Sequence, residues 1–274
     1  MPVDKEKKQR FNEEITALKK QTEEVKRRIV SLESSKGDRQ FLDIVRAASL
    51  YIDLVTIYCA MTDLSLSLLG FKNESYLDVG RKSLYKAIIL LEGEVSNVID
   101  LPLGDNYEKL KLLDGFPDDE RLKLMRKIGY TASLLADRYG DKSKWKWSFV
   151  EIEGRYAVVA KNLFDFRTYQ EKNDPRIEGF DSRNDYLVLV KELLGNSSRR
   201  YREKYELTDH LPDDMKKAID HLRALKRIHT LFSESSQVQN IGKQIDLWSQ
   251  KYEADMKAKE RRLKERNAMK RKRT

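Results

Sequence analysis

Phe11, Ile15, Leu18, Thr22, Val25, Ile29 and Leu32 follow one another at steps of four and three, with mostly charged residues between them. An apolar row repeating every 3.5 residues lies along one side of an α-helix and must be buried against a second helix. One polar member, Thr22, fixes neither register nor partner number, so the second helix can come from this chain or from another copy. Ser34, Ser35, Lys36 and Gly37 supply the stop.

Helical spacing recurs along the rest of the chain. Residues 38–69 are apolar almost all round, as befits the spine of a bundle. Their polar residues Asp43, Arg46, Ser49, Asp53, Thr56, Asp63 and Ser67 form one narrow stripe. A solvent edge, or ion pairs with basic residues of the next helix such as Arg81 and Lys82, is favoured over a functional groove, because buried charges are paired or avoided. Asn73 or Ser75 can cap a third helix with the row Leu84, Ile88, Leu91, Val95 and Val98, running to about Asp100 before Pro102. A short helix is predicted near residues 106–113. Pro117-Asp118-Asp119-Glu120 and Pro212-Asp213-Asp214 each place proline and acids where a helix begins.

The segment around Gly154 can be drawn as a hairpin. However, Trp145, Phe149, Ile152, Tyr156, Val159, Leu163 and Phe166 keep steps of four and three without a miss, which predicts one helix to about Gln170. Ser182-Arg183-Asn184-Asp185 resembles a capping box for the helix of Leu187, Val190, Leu194, Tyr201 and Tyr205. The last helix starts near Ser235 or Ser236, with the row Val238, Ile241, Ile245, Trp248 and Tyr252. Beyond Tyr252 the row dissolves, so the helix is expected to continue in solvent and to fray by Lys270.

With only 12 Gly and 5 Pro in 274 residues, the many short connections of an all-β or α/β fold are disfavoured. The expected fold is all-α: an elongated bundle of long helices with a coiled-coil-like N-terminal helix over 1–36, a body over 37–234, and a C-terminal helix over 235–274 whose basic end extends from the body.

Charge is sorted along the chain. Residues 1–36 hold 10 Lys/Arg against 7 Asp/Glu, residues 253–274 hold 10 against 4, and the rest balances 34 against 34, giving net +9. The single Cys59 lies in an apolar run and reads as a buried reduced thiol. Met1 to Glu6 runs into charges with no apolar secretory segment, and a cytoplasmic location is the expectation. Residues 47–69 are the one membrane-span candidate, but Asp53 and Asp63 each cost roughly 2.5–3.5 kcal/mol at a span's centre, which favours a core helix.

Catalytic, metal and cofactor sites are not expected. His210, His221 and His229 lack the spacing of a helical metal site, and neither phosphate-binding glycine loop occurs. Three surfaces remain as candidates. The first is the N-terminal row Phe11, Ile15, Leu18, Val25, Ile29 and Leu32, for a protein partner or self-association. The second is the basic tail, Lys257, Lys259, Arg261, Arg262, Lys264, Arg266, Lys270, Arg271, Lys272 and Arg273, for nucleic acid or another polyanion. The third comprises two cationic and aromatic clusters: Lys142, Lys144, Lys146 and Trp147 at a helix start, and Arg199, Arg200 and Arg202 beside Tyr201 and Tyr205. Exposed lysines and core tyrosines are the plainer reading of these clusters. A non-enzymatic helical scaffold or adaptor is the leading expectation, and sequence-nonspecific nucleic-acid binding the second. Attachment to an anionic membrane surface ranks lower, because the tail lacks an apolar face.

Overall fold

The computed structural model describes residues 5–34, 36, 40–113, 116–140 and 143–271, with the side chains of 263 and 266–271 left aside. The described residues contain no β-strand. Their helices are α1 (Lys5–Glu33), α2 (Gln40–Leu69), α3 (Glu74–Val95), α4 (Tyr107–Leu110), α5 (Asp118–Tyr139), α6 (Lys146–Leu163), α7 (Phe166–Glu171), α8 (Phe180–Leu207), α9 (Pro212–Leu231) and α10 (Ser235–Arg271), with a 3-10 turn after α4. The protein is an all-α helical bundle. It forms two compact units, residues 1–190 and 191–274, divided within α8.

In the first unit α2 is the spine, packed against α1, α3 and α5. Val45, Ala48, Ile52 and Val55 are fully buried. By length and composition α2 could cross a membrane, but here most of its apolar positions are covered by other helices, Leu66 being exposed. The row on α1 closes on α2 of the same chain: Ile15 and Ile29 pack with Leu50, Leu54, Tyr58 and Met61, flanked by half-buried Phe11, Leu18, Val25 and Leu32. Buried Thr22 satisfies its hydroxyl by donating to the Lys19 carbonyl at 2.6 Å.

The polar stripe of α2 is answered by α5 rather than by Arg81 and Lys82. Lys127 Nζ meets Asp53 at 2.7 Å and Ser49 Oγ at 3.1 Å, and Arg138 Nε donates to Asp63 at 3.0 Å. Arg46 pairs with Asp43 at 3.2 Å on α2 itself. Arg81 is engaged elsewhere, because its guanidinium lies 3.8 Å over the Trp145 ring.

Three helix boundaries differ from the periodic reading. Asn73 caps α3 as expected, accepting from Ser75 N, but α3 ends at Val95, five residues short of Asp100. Ser96 takes φ 125°, and Asn162 Nδ2 donates to the Ser96 carbonyl at 2.9 Å and the Val98 carbonyl at 3.3 Å, holding both out of helical pairing. The helix predicted from Trp145 to Gln170 is two helices. Phe164 is extended, and the Asp165 carboxylate accepts from Thr168 N at 2.9 Å, capping α7. Both sides of the break remain core, since the Phe164 ring centre lies 4.7 Å from Phe166 and 5.1 Å from Tyr186. Finally, α8 begins at Phe180, so Ser182 and Asp185 lie inside the helix and form no capping box. Gly179 at φ 81° makes the preceding turn, and a Cβ there would stand 2.8 Å from Arg183 Nη1. That buried guanidinium donates to Asp118 at 2.8 Å and to the Glu178 and Lys172 carbonyls at 2.9 and 3.1 Å, fixing the entry to α8.

The second unit contains α8 from Lys191, α9 and α10. Tyr201, Tyr205, His221, Leu222, Ile241 and Trp248 are buried, and α10 packs along α9. At the α9–α10 turn Ser233 takes φ 56°. There the Glu234 carboxylate is shared by the His229 ring and by Lys191 Nζ, the latter at 2.6 Å.

Candidate functional site

The candidate site is the distal part of α10, where packing gives way to charge. Within the second unit, Trp248 is the last buried side chain of the apolar row. The last polar anchor is Asp255, whose carboxylate accepts from Tyr205 Oη at 2.9 Å and Lys251 Nζ at 3.0 Å. Burial alone would raise this carboxyl, but the two donors outweigh it and hold it below the ordinary aspartate value.

Beyond this anchor, Lys257, Lys259, Arg261, Arg262 and Lys264 are all exposed. Lys264 pairs with Glu260 at 2.7 Å and Arg261 faces Glu265 at 3.9 Å, both one helical turn apart. Such exposed pairs contribute only about 0.3–0.5 kcal/mol each. Lys257, Lys259 and Arg262 have no carboxylate partner among the described residues. The backbone stays helical through Arg266, Lys270 and Arg271, whose side chains are not described. Lys272 and Arg273 lie outside the described residues. A helix through Lys270 and Arg271 extends past the point where fraying was expected.

The other candidate surfaces are partly consumed by structure. The N-terminal row is seated on α2, as described above. Lys142 lies outside the described residues. Lys144 Nζ stands 5.3 Å over the half-buried Trp145 ring, and Lys146 Nζ stands 4.7 Å over Trp147. These lysines lean on different rings and do not converge on one point, as cation–π contacts explain. In the second cluster the tyrosines are core and the cations are answered locally. Arg199 donates to Asn196, Arg200 meets Glu203 at 3.3 Å, and Arg202 meets Glu206 at 2.9 Å while lying 4.9 Å over Trp248. Lys204 pairs with buried Asp214 at 2.8 Å.

A family profile matches residues 6–256, from the start of α1 to the point where α10 loses its packing. The chain belongs to the TP0443 family. The TP0443 match stops one residue short of the cationic segment 257–274, so that segment is a feature of this chain lying outside the matched region. No curated protein and no solved structure matches the chain.

Several charged residues with strong structural roles escaped the sequence reading of this TP0443 family member. Buried Glu92 receives Arg155 Nε at 2.9 Å, and buried Lys161 donates to the Leu101 carbonyl at 2.6 Å. Arg81, stacked on Trp145, stands 3.8 Å from Asp78, which in turn accepts from Tyr139 Oη at 2.7 Å. Burial and Asp78 together hold the Tyr139 hydroxyl well above the ordinary tyrosine value. Asp78 and Arg81 stand three apart on α3, but nothing in the spacing marks the others, because their partners lie far off in the chain. Among the described residues no group of His, Cys, Asp and Glu could hold a metal ion.

Proposed function

We propose that the protein is a non-enzymatic, cytoplasmic helical adaptor that holds an acidic protein partner through the exposed cationic segment of α10. The supporting observation is the run of exposed cations beyond Asp255, three of them without a carboxylate partner among the described residues. In the first unit, charges are engaged in pairs between helices, as at Lys127–Asp53 and Arg138–Asp63, whereas this segment presents a run of cations to solvent. The buried Cys59 thiol, pushed up to about 11 by burial, is unreactive.

Charge arrangement favours an acidic protein over nucleic acid. Lys257, Arg261 and Lys264 share one face of the helix, Lys259 and Arg262 the opposite one, and Glu260 and Glu265 flank the first face. A protein surface can answer those glutamates with its own cations, whereas a phosphate backbone meets them with repulsion.

Affinity purification from the native host tests this reading, with full-length protein and protein truncated after Met256 compared with and without nuclease. The expected result is a set of acidic proteins retained after nuclease, lost on truncation and released by raised salt. Retention that vanishes with nuclease, or that survives truncation, overturns it.

A further inference from the structure

The first unit holds a cleft of about 730 Å3 between α1, α2 and α5, within the roughly 300–1,000 Å3 typical of small-molecule sites. Its floor is apolar: Val45, Leu50 and Leu124 lie buried beneath it. Four cations reach it from three helices, Arg28 on α1, Arg46 on α2, and Lys123 and Lys127 on α5, and Glu120 is the acid among its lining residues. The carboxylates that answer three of these cations stand outside the lining. They are Asp43 for Arg46 at 3.2 Å, Asp119 for Lys123 at 2.8 Å and Asp53 for Lys127 at 2.7 Å. Arg28 has no acidic partner among the described residues, and it is exposed.

Packing alone does not call for this arrangement. Half-buried Leu32 and Phe116 on the cleft walls leave apolar surface in contact with solvent, and Arg28, which no acid answers among the described residues, leaves positive charge at the rim that an anion would meet. Inorganic phosphate would satisfy the rim but leave Leu32 and Phe116 wet, and a neutral hydrocarbon would do the reverse. We propose that the cleft binds a small soluble amphipathic anion, an alkyl or aryl body carrying one carboxylate or phosphate head. The body covers Leu32 and Phe116, above the buried Val45, Leu50 and Leu124. The head takes charge-assisted hydrogen bonds from Arg28 and Lys123, the rim cations with the most freedom to turn toward it. The side chain of Lys123 is 74% exposed, so it can leave Asp119 for a ligand at little cost.

Decanoate, decyl phosphate and decanol, each kept below its aggregation concentration, serve as probes. They are titrated into full-length protein with labelled Val and Leu methyl groups. Both anions are expected to shift the Val45, Leu50 and Leu124 methyls and to bind about tenfold or more tighter than decanol. The double variant R28Q/K123Q should weaken both anions about tenfold while leaving decanol unchanged. Ser31→Phe, an exposed position on the cleft wall, should obstruct all three probes without disturbing the core. Equal binding of decanol and decanoate, unchanged anion binding by R28Q/K123Q, or shifts confined to other methyls would each overturn the proposal. It is separable from the adaptor reading: protein truncated after Met256 should keep decanoate binding, and R28Q/K123Q should keep the acidic partner.

Discussion

Tyr205 and Asp255 show how one hydrogen bond decides where α10 stops being part of the core. Tyr205 is completely buried, and its hydroxyl has to find an acceptor or bear a desolvation penalty. It finds Asp255, which Lys251 also engages. Although burial opposes ionisation of Asp255, these donors leave its folded-state pKa below the ordinary aspartate value of about 3.9. A depressed carboxyl stabilises the fold fully above its unfolded value, and that contribution is lost as pH falls through the folded one. A carboxylate titration by NMR should therefore give Asp255 a midpoint below about 3.9. Tyr205→Phe should raise that midpoint and lower stability at pH 7 by about 1 kcal/mol. An unshifted midpoint in Tyr205→Phe would show that the hydroxyl does not hold the carboxylate. The burial of Tyr205 was legible from its helical spacing, but its acceptor was not, because a partner fifty residues away leaves no periodic trace. Glu92 with Arg155 is the same case, and so is Lys127 with Asp53.

At the scale of elements, periodicity reported which residues are core more faithfully than where helices end. Leu163 and Phe166 keep helical spacing across the α6–α7 break, and both are buried, so the row reads as continuous. What ends α6 is local and polar: the Asp165 carboxylate takes the Thr168 N–H, competing with continuation of the helix. Asp165→Ala removes that cap, and denaturant unfolding should register a loss of about 1 kcal/mol. Asp165→Asn, which can still accept the bond, should retain most of it. If both substitutions cost the same, the break is set by packing of the Phe164 ring and not by the cap. The Ser182–Asp185 pattern erred in the other direction. It has a plausible capping sequence, but Gly179 and the buried Arg183 start α8 two residues before Ser182, because a positive-φ turn and three guanidinium bonds outweigh one side-chain cap. The candidate row on α1 was legible residue by residue. Its destination was not, since a heptad row carries no mark of whether its partner helix is in the same chain.

Across the whole molecule, the balanced interior and the cationic end could be counted directly from the sequence. The division within α8 could not, because Leu187, Val190, Leu194 and Tyr201 run through it with no change of composition. Charge and packing part company near Met256. Residues 257–274 carry 10 Lys/Arg and 2 Asp/Glu, so truncation after Met256 takes the net charge from +9 to +1. The exposed cations repel one another at helical spacing, which the pairs at Glu260 and Glu265 relieve only in part. Nothing in the described part of that segment is buried, and stability therefore should not depend on it. Truncated and full-length protein are expected to unfold at the same temperature by circular dichroism. Brief digestion with trypsin should cut the full-length protein first among Lys257, Lys259, Arg261 and Arg262, where local opening breaks no tertiary contact. Mass spectrometry of the surviving fragment locates that cut. A first cleavage before Tyr252, or a truncated protein that melts several degrees lower, would show that the cationic segment is part of the packed structure, and its availability to a partner would fall with that result.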